Sequence, residues 1–203
     1  MARDMTPLVK QSRREGVALH PKAHKVMVKR TNPPGQHGHM GQRKQSGYAL
    51  RLREKQKVKR MYGLLEKQFR KLITDANRMQ GLTGEVLLKL LERRLDNAVY
   101  RAGFASSRRA ARQIVTHGHF TLNGRRVDIP SIRLKQGDEI ALRKRSQSNK
   151  YFASIDELVE VAPSVSWLSA DRKKFVIKVT GEPTREEAEP GINEQLIVEY
   201  YSR

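Results

Sequence analysis

The sequence contains no cysteine, which removes disulfides, thiolate metal sites and a cysteine nucleophile together. No uninterrupted apolar run exceeds three residues, so neither a membrane-spanning helix nor a secretory apolar region is expected. Aromatic residues are few: one Trp, six Tyr and five Phe in 203 residues, with Tyr48 alone among the first sixty. Proteins that grip single-stranded nucleic acid usually stack bases on exposed rings, and this chain has few to offer. The apolar share of 37% is low for a folded protein but well above that of disordered chains. The length allows one or two domains.

What the chain has is positive charge. Lys and Arg number 41 against 21 Asp and Glu, a net +20, and the pI is about 10.6. Residues 1–60 carry 16 basic and 3 acidic side chains, residues 61–150 carry 19 and 8, and residues 151–203 carry 6 and 10. Solubility alone needs only a few charges of either sign. A long polyanion explains the excess better, because each Lys or Arg placed on a phosphate releases a condensed counterion. A basic surface with no dedicated partner is the bland alternative. An anionic membrane would call for bulky apolar residues opposite the cations, and the basic stretches lack that stripe. Dense charge with scarce rings favours phosphate and shape recognition of folded, largely double-helical RNA, although charge alone leaves DNA open.

Along the chain, residues 1–45 read as an irregular arm broken by Pro7, Pro21, Pro33, Pro34, Gly16, Gly35, Gly38 and Gly41. One short helix is expected over 6–15, opened by Thr6 and Pro7. Residues 46–62 predict a helix charged nearly all round, with a single acid, Glu54, and hence little internal ion-pair support. Leu65, Phe69, Leu72, Ile73 and Ala76 make the one-sided stripe of a second helix over 64–80. Thr83 opens a third, with Leu87, Leu91 and Leu95 spaced by four.

Beyond it, a helix over 94–101 should end at Gly103, and another over 108–117 should be capped by Ser106 or Ser107 and stopped by Gly118. The buried face of the latter would be Ala110, Ala111, Ile114 and Val115. Asn123-Gly124 between two β-type runs signals a hairpin, and a strand over 139–143 follows a turn at 135–138. Residues 146–149 look like a linker, 155–159 a short helix, 165–168 and 175–179 strands, 182–190 an acidic loop, and 192–201 a strand or helix. The fold class is α+β, mainly helical.

The run from Arg93 to Phe104, the run from Ser106 to Val115, then His117-Gly118-His119, Leu122-Asn123-Gly124-Arg125 and Gly137-Asp138-Glu139-Ile140 resemble the S-four RNA-binding domain. That domain also occurs in pseudouridine synthases, tyrosyl-tRNA synthetases and stress proteins, so by itself it implies structured RNA and no more. Ser12-Arg13-Arg14-Glu15-Gly16, Pro34-Gly35-Gln36-His37-Gly38, the run from Leu52 to Val58, the run from Tyr62 to Phe69 and the run from Ile192 to Glu199 are similar to the bacterial-type small-subunit ribosomal protein family that gives the domain its name.

The resemblance implies a helical domain into which the small RNA-binding domain is inserted. The arm would be 1–45, the helical domain 46–91 completed by 157–203, and the inserted S-four domain 92–156. It further implies a primary binder of small-subunit rRNA that nucleates assembly of the subunit body, contacts the S-five protein and supports translational accuracy with S-five and S-twelve in the cytoplasmic ribosome. Many members bind zinc through four arm cysteines, which are missing here. His20, His24, His37 and His39 lack thiolate or carboxylate company and make a poor structural zinc set. No metal or cofactor is therefore expected, and His37 is assigned to RNA with the other three solvated.

Candidate rRNA-binding residues are Arg108, Arg109 and Arg112 at the helix opened by Ser106 or Ser107, where guanidinium forks and a helix N-terminus reinforce each other. Arg125 and Arg126 beside the hairpin turn reach a second backbone. Arg51, Arg53, Lys55, Lys57, Lys59 and Arg60 surround their helix, so only some can face RNA. Arg13, Arg14, Arg43 and Lys44 in or beside the arm complete the set with Arg94 and Arg101. Asp96, near an RNA-binding domain, invites comparison with a pseudouridine synthase nucleophile, yet amid Arg93, Arg94 and Arg101 it reads as an ion-pairing residue. A free RNA chaperone is a third reading. Glu186, Glu187 and Glu189 are expected to face a basic protein neighbour.

Overall fold

The structure is a computed structural model that describes residues 4–40, 45–155 and 165–202. The chain divides into two compact units, Met1–Leu87 with Gly191–Arg203, and Leu88–Pro190. The described helices are α1 (Leu8–Glu15), α2 (Pro21–Lys29), α3 (Gly47–Met61), α4 (Glu66–Arg78), α5 (Thr83–Glu92), α6 (Leu95–Arg101), α7 (Arg108–Thr116), α8 (Lys144–Gln147), α9 (Lys150–Ala153) and α10 (Glu194–Tyr201). The strands are β1 (Phe120–Leu122), β2 (Arg125–Val127), β3 (Glu139–Leu142), β4 (Leu168–Asp171) and β5 (Val176–Val179).

In the first unit α1 starts two residues later than its sequence suggests. Pro7 occupies the cap position and makes no side-chain cap bond, while Thr6 donates its N–H to Asp4 Oδ1 at 2.9 Å. Helix α2 was not anticipated within the irregular arm. Its signal is local: His20 Nδ1 accepts from the N–H of Lys22 at 3.1 Å, and Pro21 stands at the first helical position, where a missing N–H costs nothing. His20 is thus a helix cap. Ser46 caps α3, and the predicted α4 stripe of Phe69, Leu72, Ile73 and Ala76 is buried.

The C-terminal segment resolves as helix, α10, capped by Asn193. It packs on α3 and buries Ile197. Gly84 of α5 belongs to the same contact, because a Cβ there would stand 2.6 Å from Glu194 Cγ.

The second unit packs α6 and α7 against an antiparallel sheet of order β2-β1-β3-β5-β4. Its core includes Leu95, Val99, Phe104, Phe120, Ile140, Phe152, Trp167 and Ile177. Asn123 (φ +50°) and Gly124 (φ +79°) form the two-residue hairpin turn, whose left-handed backbone matches strand twist. Of the predicted α7 face, Ala111 and Val115 are buried and Ala110 and Ile114 pack partly against the core.

Two expectations are corrected here. Residues 146–149 are not a linker: α8 runs through Gln147, Asn149 caps α9, and within α9 Phe152 packs edge-to-face on Phe120. The segment after 156 does not pass straight back to the helical unit either. Strand β5 pairs with β3, Ile177 opposite Ile140, so the described residues from 165 to 190 complete the sheet, and only those from Gly191 onward join the first unit. Burial of Trp167, Ile177 and Val179 in one core with Ile140 is the reason. The helix expected at 155–159 lies, after Ile155, outside the described residues.

Candidate nucleic-acid interface

The second unit spends several of its arginines internally. Arg94 grips Asp96 with two bonds, 3.0 and 2.7 Å, and Arg112 reaches the same carboxylate at 3.3 Å. All three residues are buried. Arg101 forks onto Glu92 at 3.1 and 2.9 Å, and Asn97 donates to Glu92 Oε2 at 2.7 Å. Arg108 donates to Asn97 Oδ1 at 2.8 Å and to Glu189 at 2.6 Å, with its guanidinium carbon 4.7 Å from the Tyr100 ring centroid. Burial raises the Glu189 carboxyl, but Arg108 and Arg101 outweigh it and hold it below the usual range.

Breaking such a buried pair by removing one partner is expensive, because it leaves an uncompensated charge. Arg94, Arg101 and Arg112 therefore serve the fold, and Arg108 does so for most of its surface. On α7 the core side is Ala110, Ala111, Ile114 and Val115; Arg108 and Arg112, four residues apart, stand together on one flank of it, and Gln113 and Thr116 are exposed. Ser107 is the cap, accepting from the N–H of Ala110 at 3.3 Å. With its carboxylate held by two buried arginines, Asp96 is not placed to attack a substrate.

Helix α3 behaves likewise. Arg53 and Arg60 both bind Glu15, whose side chain is fully covered; burial raises this carboxyl despite the two guanidinium groups. Lys55 is 3% exposed, with its ammonium 3.1 and 3.0 Å from the two Glu66 oxygens and 4.6 Å from the Tyr200 ring centroid. Lys59 joins Glu66 at 3.1 Å, Lys57 meets Glu54 at 2.7 Å, and Arg51 meets Glu199 at 2.5 Å. The cations surrounding α3 thus tie it to α1, α4 and α10. Lys55 is withdrawn from any interface, and the others present only part of their surface.

Arg13 is similarly committed, donating to the carbonyls of Asn32 at 2.9 Å and Pro33 at 3.4 Å, which shapes the turn leading to His37. The acidic loop is also used from within. Glu187 accepts from the N–H groups of Ser166 and Thr184, and Glu189 holds Arg108. Glu187 and Glu189 are therefore engaged within the chain, and Glu186 alone of the three is exposed.

Facing outward among the predicted residues are Arg14, His37, Arg125 and Arg126, with Arg109 half-buried; Arg43 and Lys44 lie outside the described residues. The structure adds cations that sequence reasoning missed. Lys67, Arg70, Lys71 and Arg78 are exposed on α4 at i, i+3, i+4 and i+11, opposite the apolar stripe. Lys22, Lys25 and Lys29 do the same on α2 at i, i+3 and i+7. Their signal was the helical complement of the buried positions.

Comparison with known proteins bears on what these faces serve. Residues 3–92 match the Ribosomal protein S4/S9 N-terminal domain family, and residues 93–140 match the S4 domain. The small ribosomal subunit protein uS4 of Clostridioides difficile is 51% identical over 210 residues, covering 100% of both chains. The chain belongs to the uS4 family. The uS4 proteins of Chloroflexus aurantiacus and Thermus thermophilus, 49% and 47% identical, also match end to end. Of the outward cations, those on α2 and α4 fall within the N-terminal family match, and Arg109, Arg125 and Arg126 within the S4-domain match. Strands β4 and β5 and helix α10 lie beyond residue 140 and outside both. The cysteine-free arm is compatible with uS4 kinship, since identity to these relatives runs through the whole chain.

Proposed function

We propose that this protein is a structural, non-enzymatic constituent of the small ribosomal subunit in the cytoplasm and that it binds small-subunit rRNA. End-to-end identity near one half with uS4 proteins carries the reading. The exposed cations support it: Arg14, Lys22, Lys25 and Lys29 in the arm, Lys67, Arg70, Lys71 and Arg78 on α4, and Arg125 and Arg126 in the S4 domain, with the half-buried Arg109, are the groups that would meet phosphates. His37, Arg43 and Lys44 belong to the same proposal on sequence grounds.

The finer reading is that binding helps nucleate the subunit body and contributes to translational accuracy, through contact with the S-five protein and a functional link to S-twelve. Its support is family kinship. The test is a titration against a small-subunit rRNA transcript and a scrambled control across a salt series. A preference of about 10³-fold or more for the cognate RNA at physiological salt is expected, by analogy with specific DNA binders. Equal affinity for the two would reduce the protein to a basic RNA-coating chain.

A further inference from the structure

At one end of the sheet three connections emerge side by side. They are the α7–β1 link at Gly118 and His119, the exit of β3 into Arg143, Lys144 and Arg145, and the β4–β5 turn carrying Arg172, Lys173 and Lys174. Backbone hydrogen bonds fix their adjacency: Arg143 N–H donates to the His119 carbonyl at 2.9 Å, and Leu142 N–H to the Phe175 carbonyl at 2.9 Å. Neighbouring strands run about 4.8 Å apart, so these cations line one edge.

Residues 140–155 contain no carboxylate. Among the described residues Asp171 and Asp128 stand at this end, and the Lys174–Asp171 pair, at 3.6 Å with the lysine 80% exposed, is screened by water. The opposite end of the sheet is mixed in charge, with Asp138, Glu139, Lys135 and Lys178. The surplus is therefore a property of this end and not of the sheet.

The turn is also held stiffly. Asp171 Oδ1 accepts from the N–H of Lys174 at 3.0 Å, and Phe175 takes φ +56°, a conformation bulky residues adopt only under constraint. Arg172 lies across Gly103, where a Cβ would come within 2.0 Å of its Nη2. A turn whose backbone is already ordered loses less entropy when its side chains bind.

We propose that Lys144, Arg145, Lys173 and Lys174 form a separate contact edge for one strand of RNA backbone, read as phosphate without base recognition. The proposal rests on the rRNA-binding reading above. It is tested with the triple variant Lys144→Gln/Lys173→Gln/Lys174→Gln in the full chain, against the small-subunit rRNA transcript. Neutralising three phosphate contacts should lower the log–log salt slope by about 2 and weaken binding roughly a hundredfold at 0.1 M salt, with thermal unfolding unchanged.

Because the chain lacks cysteine, Lys174→Cys and Arg125→Cys each give a unique tether for an iron chelate that cleaves nearby RNA. Cuts from Lys174→Cys should fall on a different rRNA segment from cuts from Arg125→Cys. An unchanged slope, no cleavage, or cleavage of the same segment would overturn the proposal. Wild-type rRNA affinity with weaker incorporation into the subunit would assign the edge to an acidic protein instead. If the wild-type chain itself fails to prefer cognate over scrambled RNA, the rRNA reading fails first.

Discussion

Asp96 is the residue on which the second unit's charge balance turns. It is buried between Arg94 and Arg112 and also accepts from the N–H of Asn97 at 3.0 Å. Asp96→Asn keeps the volume but leaves two buried guanidinium groups without their counter-charge, so unfolding should become easier by about 3 kcal/mol. Urea unfolding followed by circular dichroism measures this, and wild-type stability in the variant would return Asp96 to the list of reactive residues. The same logic separates cations of identical type. Arg109 and Arg112 are three residues apart on α7, one half-buried on the outer face and one buried against Asp96. Sequence showed both as candidates, because a guanidinium carries no label for which way its helix will be turned.

Among elements, Glu66 at the start of α4 joins three helices. It binds Lys55 and Lys59 of α3 and accepts from the Tyr201 hydroxyl of α10 at 2.6 Å. Partial burial raises its carboxyl, but these hydrogen bonds together prevail and bring it down to about 2 from an ordinary 4.5. A folded-state value below the unfolded one means that the stabilisation is full above pH 4.5 and fades as pH falls towards 2. Glu66→Gln should therefore be less stable than wild type at pH 7, with the gap closing on acidification through that window. Parallel urea melts at several pH values would show it, and a gap independent of pH would refute the role.

The element-level reading from sequence was strong where one face of a helix was plainly apolar, as in α4 and α7. It failed for α2, whose evidence was a capping histidine before a proline. It also failed for α8 and α9, four residues each, too short to display a period.

For the whole molecule, a net charge of +20 overstates what is available to a polyanion, since many cations are already paired inside each unit. Binding measurements should reflect this. Lys67→Gln/Lys71→Gln on the exposed face of α4 should lower the rRNA salt slope by about 1.5 while leaving stability unchanged. Arg51→Gln/Lys59→Gln on α3 should lower stability and move the slope less. Equal effects of the two pairs on the slope would mean that internal pairing does not decide which cations meet RNA.

The sequence by itself determined the polyanion partner, the α+β class, most helices and the hairpin, because net charge, helical periodicity and an Asn-Gly turn are local or additive properties. Tertiary structure alone decided that β4 and β5 complete the sheet, that Glu187 and Glu189 find partners within the chain, and which arginines face out. Those outcomes depend on pairing between residues tens of positions apart, where burial of one carboxylate selects its cation from several equivalent ones.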